Sequence, residues 1–187
     1  LPTPARSCEL LSHFKVVGFD AAGTRALLRE ETEATLALHV IELSTGKRKG
    51  TWSILEVDDD ASQRQKLRGQ RWKEAEADLK KEGFTIKPDA FGGVKALTLG
   101  ALSLSLVDVF DDEAGTRPIG NTLRVTKGKR HVDVASVTSS VPSDPASIEH
   151  LVLSPDRTYV VLTVAGCGAE PLVRSVADLE KRLAAVK

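Results

Sequence analysis

The sequence predicts a single α+β domain, mainly antiparallel β-sheet, and three observations predict it. Short apolar runs of strand length recur along the chain, separated by turns rich in Gly, Asp, Pro and Ser. One long charged segment, about 60–82, interrupts them and reads as a surface helix. A last segment, about 173–186, repeats Val173, Val176, Leu179, Leu183 and Val186 at helical spacing. A length of 187 residues suits one domain covering 1–187.

The first four strands fall at 15–20, 24–32, 35–43 and 48–57. Their connections are short (Asp20-Ala21-Ala22-Gly23, then Ser44-Thr45-Gly46-Lys47), as in an antiparallel meander. The third alternates Leu36, Leu38 and Val40 with Ala37, His39 and Ile41, so both faces are apolar and it belongs in the middle of a sheet. Asp58-Asp59-Asp60 then opens the charged helix, with Asp60 and Gln63 spaced as a capping box and Gly83 as its stop. Its sparse apolar positions (Leu67, Trp72, Ala75, Leu79) leave one narrow stripe to dock. The alternation in 95–110 slips phase at Gly100-Ala101, which predicts a bulge or bend between two strands. Hairpins are expected at 117–139, around Lys127-Gly128-Lys129, and at 148–164, around Ser154-Pro155-Asp156-Arg157.

Composition narrows the function classes. Hydrophobic residues make up 41% and charged residues 28%, enough for a core and too apolar for disorder. Lys plus Arg equals Asp plus Glu, at 26 each, so nothing favours nucleic acid or an anionic membrane. Aromatics are only 4%, too few for a stacking platform. No apolar run is long enough for a transmembrane helix.

The chain opens with Leu1-Pro2-Thr3-Pro4 and contains no Met, which reads as a mature chain after loss of a signal peptide. Periplasmic or extracellular localisation is the expectation. Two cysteines, Cys8 and Cys167, sit near opposite ends, and in an exported protein they are expected to pair. The bridge would tie an extended segment, 1–12, to the domain. Closing a loop of about 160 residues stabilises by on the order of 5 kcal/mol in the chain-entropy picture.

Two stretches align without gaps: Phe19-Asp20-Ala21-Ala22-Gly23-Thr24-Arg25-Ala26-Leu27-Leu28 and Leu153-Ser154-Pro155-Asp156-Arg157-Thr158-Tyr159-Val160-Val161-Leu162. The second resembles the Phe-Ser-Pro-Asp-Gly-Arg-Tyr signature of TolB-like β-propeller blades. Two copies are too few for a closed propeller. Together with the charged helix, residues 14–110 and 151–164 resemble predicted secreted bacterial proteins that carry a propeller-like hairpin. The resemblance implies export and no particular activity.

Catalytic signatures are absent. His13, His39, His131 and His150 lack metal spacing with one another, and paired cysteines leave no thiolate ligand. No Gly-x-Ser-x-Gly elbow or phosphate loop occurs. A cation, if one binds, would be sought first at Asp108, Asp111, Asp112 and Glu113. Lys47, Arg48 and Lys49 form one basic turn and Lys127, Lys129 and Arg130 another, both read as solvated tips. Trp52 and Trp72 are read as core anchors.

No cofactor is expected, and catalytic residues are not assigned. The leading expectation is a non-catalytic secreted or periplasmic binding module, its partner a protein or cell-envelope component. The alternatives are a hydrolase combining acidic-cluster carboxylates with His39, His131 or His150, and a small-ligand binder in a curved sheet. Alkylation of the unreduced, unfolded protein should leave its intact mass unchanged, and prior reduction should add two labels; labelling before reduction would rule out the Cys8–Cys167 bridge.

Overall fold

Strand alternation and turn chemistry produce two antiparallel sheets in the computed structural model, which describes residues 11–87, 91–110, 118–138 and 146–186. β1 (Ser12–Phe19), β2 (Arg25–Glu31), β3 (Leu36–Glu42) and β4 (Arg48–Leu55) form the expected meander, with β3 between β2 and β4. The charged helix α1 (Arg64–Lys81) follows. β5 (Ala96–Leu99), β6 (Leu102–Phe110), β7 (Pro118–Lys127) and β8 (Arg130–Thr138) make a separate four-stranded sheet in chain order. β9 (Ser147–Leu153), β10 (Tyr159–Gly166) and β11 (Leu172–Ser175) then return to the first sheet, and α2 (Val176–Ala184) ends the fold. Neither sheet closes into a barrel or a propeller.

The seven-stranded sheet is buried on both faces. On one side Leu36, Leu38, Val40, Leu27 and Ile54 pack with Ala75, Leu79 and Phe84, so α1 is docked by the narrow stripe its sequence offers. Trp52 and Trp72 border this cluster as half-buried anchors. The larger core joins Phe14, Val16, Leu28 and Ile41 to Leu104, Leu123 and Val125 of the second sheet and to Leu179 and Leu183 of α2. Burying each such side chain stabilises by roughly 1.5–3 kcal/mol.

The two sheets are stitched together at β9. Val94 pairs with Leu151 through two backbone hydrogen bonds, of 3.2 and 2.8 Å. The side-chain amide of Asn121 imitates a strand neighbour: its Nδ2 donates to the Ile148 carbonyl, and the Ile148 N–H donates to its Oδ1.

One irregularity shapes everything near β1. β10 offers one edge to two partners: Tyr159–Leu162 pair with β11, while Ala165 and Gly166 pair with His13 and Ser12. Beyond His13, β1 therefore leaves β10, and residues 84–87 take over its edge. Lys87 N donates to the Val17 carbonyl at 2.7 Å, and Asp20 bridges Phe84. The register of β1 on β2 slips between Val16 and Gly18, leaving Val17 as the bulged residue. Gly18 is required there, because a Cβ would lie 2.8 Å from the Thr85 carbonyl oxygen.

Three element boundaries differ from expectation. The first helix begins at Arg64, and no capping box forms: Gln63 has helical backbone and caps nothing with its side chain. Asp60 instead accepts from Ser62 N and Oγ, closing a turn ahead of the helix. Gly83 ends the helix at φ +87, as expected. The slip at Gly100-Ala101 is a complete hairpin turn between β5 and β6, with Gly100 at φ +60. The C-terminal helix is shorter than its apolar periodicity. Residues 172–175 are strand because β10 has an edge to fill, and Ser175 then starts α2 by accepting from Asp178 N.

The two similar hairpins share one backbone conformation. Asp20 N donates to the Arg25 carbonyl, and Ser154 N to that of Tyr159; Gly23 N and Arg157 N return to Asp20 O and Ser154 O. Gly23 has φ +68 and Arg157 φ +61 at equivalent places. The turns also meet, since a Cβ on Gly23 would lie 3.9 Å from Asp156 Cγ. Arg157 thus holds a left-handed conformation that costs a non-glycine residue about 1 kcal/mol. Arg157→Gly should raise unfolding stability by about 0.5–1 kcal/mol and Gly23→Ala should lower it by at least as much, read from urea denaturation midpoints; equal midpoints for all three proteins would refute the shared-turn account.

Candidate functional site

A cleft of about 350 Å³ lies where β1 parts from β10. Its walls come from β1 (His13, Lys15), β2 (Arg29, Glu31), β9 (Glu149, His150, Val152), Thr163 of β10 and the connecting segment Phe91-Gly92-Gly93. The connecting segment is held in place at both ends. Phe91 sits edge-on to Phe19, ring centroids 5.2 Å apart, and the Val94–Leu151 pair follows. Gly93 presses on His150 so closely that a Cβ would stand 2.1 Å from the His150 Cβ. Gly92 is its opposite: a Cβ there meets no atom within 4 Å.

The polar walls are organised as pairs. His13 Nδ1 lies 3.0 Å from Glu149 Oε1, and Arg29 Nη2 lies 3.1 Å from Glu31 Oε2. Strand register sets these groups side by side: His13 faces Glu31 and Lys15 faces Arg29 across β1 and β2. Thr163 is different. Among the described residues the buried polar side chains are Asp20, His39, Thr122, Ser154 and Thr163. The first four are hydrogen-bonded: Asp20 to Thr24 and Arg25, His39 to Glu30 and Thr51, Thr122 to the Ala135 carbonyl, Ser154 to Asp156 and Tyr159. Thr163, at 1% exposure, has no partner for Oγ1, and neither has the buried Nε of Arg29. Leaving such a group unpaired costs about 1–3 kcal/mol.

Most of the residues singled out from sequence are dispersed, but Asp108 and His150 line one further cleft, of about 490 Å³, together with Glu149. Cys8, Asp111, Asp112 and Glu113 lie outside the described residues, as does most of segment 1–12. Among the described residues there is no free cysteine. Asp108 lies on β6 opposite Asn121. His131 is exposed near the start of β8. Arg71 holds Asp59, and Asp60 serves its local turn; neither they nor Asp58 line the cleft. No group of three or more His, Cys, Asp or Glu is placed to hold a metal among the described residues, and no helix there is long and apolar enough to cross a membrane. Of the basic turns, Arg48 pairs with Glu170 and Lys49 with Glu42.

His39, placed by the sequence on a central strand, is buried and belongs to a chain of polar groups across four strands. Ser12 Oγ donates to Glu30 Oε1 at 2.8 Å; Glu30 Oε2 is 2.7 Å from His39 Nε2; His39 Nδ1 is 2.9 Å from Thr51 Oγ1. The His39 hydrogen bond draws the Glu30 carboxyl below its ordinary value of 4.5; partial burial opposes this, and Ser12 adds to it.

Sequence reasoning missed Lys15, Arg29, Phe91, Glu149 and Thr163 as site residues. One signal was present: Thr163 is the sole polar residue between Val160 and Gly166, inside an otherwise apolar run. Comparison with protein-family models, curated proteins and solved structures finds no match.

The Glu30 chain has a pH signature. A carboxyl whose value is lowered on folding stabilises above its unfolded value of about 4.5, and that stability drains away as pH falls through the lower folded value. Urea midpoints between pH 6 and pH 3 should therefore fall less steeply for Glu30→Gln than for the parent; parallel curves would show that Glu30 contributes nothing.

Proposed function

We propose that the protein is a non-catalytic binding module, exported from a bacterial cell, that holds a small polar ligand in the cleft between β1 and β9–β10. The observation that carries this reading is Thr163. A hydroxyl buried on an apolar strand without a partner is a cost to folding, and it lines the cleft. The surrounding wall combines an apolar side, Phe91 and Val152, with convergent polar groups, the usual composition of a small-molecule site. Among the described residues the exposed large apolar side chains, Leu11, Val57, Val94 and Phe110, come from four separate segments of the chain. Export rests on the expected Cys8–Cys167 bridge, of which Cys8 lies outside the described residues.

A hydrolase is the second reading, favoured by the Thr51–His39–Glu30 chain. Its order of hydroxyl, imidazole and carboxylate is that of nucleophile, base and orienting group. Thr51 is exposed on the edge strand β4, outside the cleft, so little excludes water from it.

The binding reading is tested by a fragment screen followed through amide resonances. Hits should perturb His13, Thr163 and residues 91–93 together. Gly92→Leu, which adds its side chain to open space, should abolish those hits while moving the thermal midpoint by less than about 3 °C. Hits confined to other surfaces, or hits that Gly92→Leu leaves intact, would count against the cleft.

A further inference from the structure

We propose that the exposed ridge of α1 binds an acidic polysaccharide, a linear anionic polymer laid along the helix, at a site separate from the cleft. Charge segregation is the first observation. The whole chain carries 26 basic and 26 acidic residues, yet α1 carries seven Lys and Arg against three carboxylates, Glu74, Glu76 and Asp78. Residues 64–73 hold five of those cations and no carboxylate. Cations at the start of a helix oppose its dipole, so this pattern works against the helix it sits on.

The fold uses only part of the charge. Arg71 is held by Asp59, Arg64 by the carbonyls of Ala34 and Glu56, and Lys81 by Asp78. Lys66, Arg68, Lys73 and Lys80 are exposed and form no ion pair among the described residues. Against them stand Glu74, which accepts from Gln70, and Glu76. Lys66, Lys73 and Lys80 are seven residues apart, so they form one row with a rise of about 10 Å at each step. Gly69 and Ala77 lie between them on the exposed side. A Cβ on Gly69 would meet no atom within 4 Å, so packing does not call for glycine there, and glycine inside a helix weakens it. It does make a low place in the ridge, where a chain can lie close to the helix backbone.

Charge complementarity asks for an anion, and the arrangement selects its kind. A single small anion cannot span lysines two turns apart. A flat anionic bilayer would also meet Glu74 and Glu76, which flank the row on either side. It would find no exposed large apolar side chain on α1 to take up, since Leu67 and Trp72 are half-buried. Nucleic-acid bases need an aromatic face to stack on, and Trp72, the one aromatic of the helix, packs against the sheet core. An acidic polysaccharide needs neither. Its anionic groups repeat along one chain, which follows the row and passes between the flanking carboxylates.

The test titrates polygalacturonate oligomers into the full chain, by calorimetry and by amide shifts. Ionic strength is set first at about 0.01 M and then at about 0.15 M, where the Debye length falls from about 30 Å to about 8 Å. Binding should perturb residues 64–81, weaken with salt, and be absent for neutral dextran. The triple variant Lys66→Gln, Lys73→Gln, Lys80→Gln should bind about tenfold or more weakly, since each exposed contact contributes about two- to fivefold. A second triple variant, Lys47→Gln, Lys127→Gln, Lys129→Gln, removes the same charge from two exposed turns and should stay within about twofold of the parent. Should the first triple misfold, Lys73→Gln alone should still weaken binding by about two- to fivefold. Equal losses from both triples would show attraction to overall charge and no ridge site. Oligothymidine or phosphatidylglycerol vesicles binding as tightly as the polymer, with the same lysine dependence, would overturn the polysaccharide assignment. Shifts confined to residues outside 64–81 would overturn the site, and none of these outcomes bears on the cleft.

Discussion

A β-strand edge satisfies one neighbour at each residue, and β10 divides a single edge between two. Its first half carries β11 and its last two residues carry β1. The backbone groups of β1 beyond His13 would then be orphaned, at a cost comparable to lost hydrogen bonds. Residues 84–87 answer for the far end of the strand, through Val17 and Asp20. Val17 bulges and Gly18 stays small so that this segment can approach. The chain fills the wedge opened by the parting only in part, with Phe91-Gly92-Gly93. The cleft is a consequence of strand pairing before it is anything else.

The paired hairpins show how the same turn is built twice from different atoms. Asp20 uses two carboxylate oxygens to take up Thr24 N, Thr24 Oγ1, Arg25 N and Arg25 Nε. Burial works against its charge, yet those bonds hold its carboxyl below the ordinary value. In the other turn the work is split: the Ser154 hydroxyl accepts from Tyr159 N, while the Asp156 carboxylate takes Ser154 Oγ, Thr158 N and Thr158 Oγ1. The glycine of one copy and the arginine of the other adopt the same left-handed backbone. The likeness seen in sequence is thus a likeness of hydrogen-bond topology, and contact between the turns brings the two copies to one end of the sheet.

What could be read from sequence was what local physics decides. The alternation of Leu36, Leu38 and Val40, the charge of 60–82 and the glycine at 83 each signal their element within a few residues. β11 was misread because Val173 and Val176 fit a helical period equally well; only a distant vacancy on β10 decides for strand. The cleft escaped for the same reason on a larger scale. His13, Arg29, Phe91, Glu149 and Thr163 come from five separated segments, and no spacing in the chain announces their meeting. His39 lies between these cases: its place on a central strand was legible, whereas Glu30 and Thr51 reach it only through register across β2, β3 and β4.

The distribution of unsatisfied polarity separates structural polar groups from those open to a ligand. Asp20, Ser154, Thr122 and His39 are buried and fully engaged, so each contributes to the fold it sits in. Thr163 occupies a strand where valine would pack as well and leave no hydroxyl unpaired. The packing of the strand does not use that hydroxyl, and leaving it buried and unpaired is a cost to stability. Thr163 and Arg29 both line the cleft, and each has one buried polar atom without a partner. The geometry that forced β1 away from β10 thereby made the cleft, and the side chains left unpaired within it define the chemistry of what could fill it.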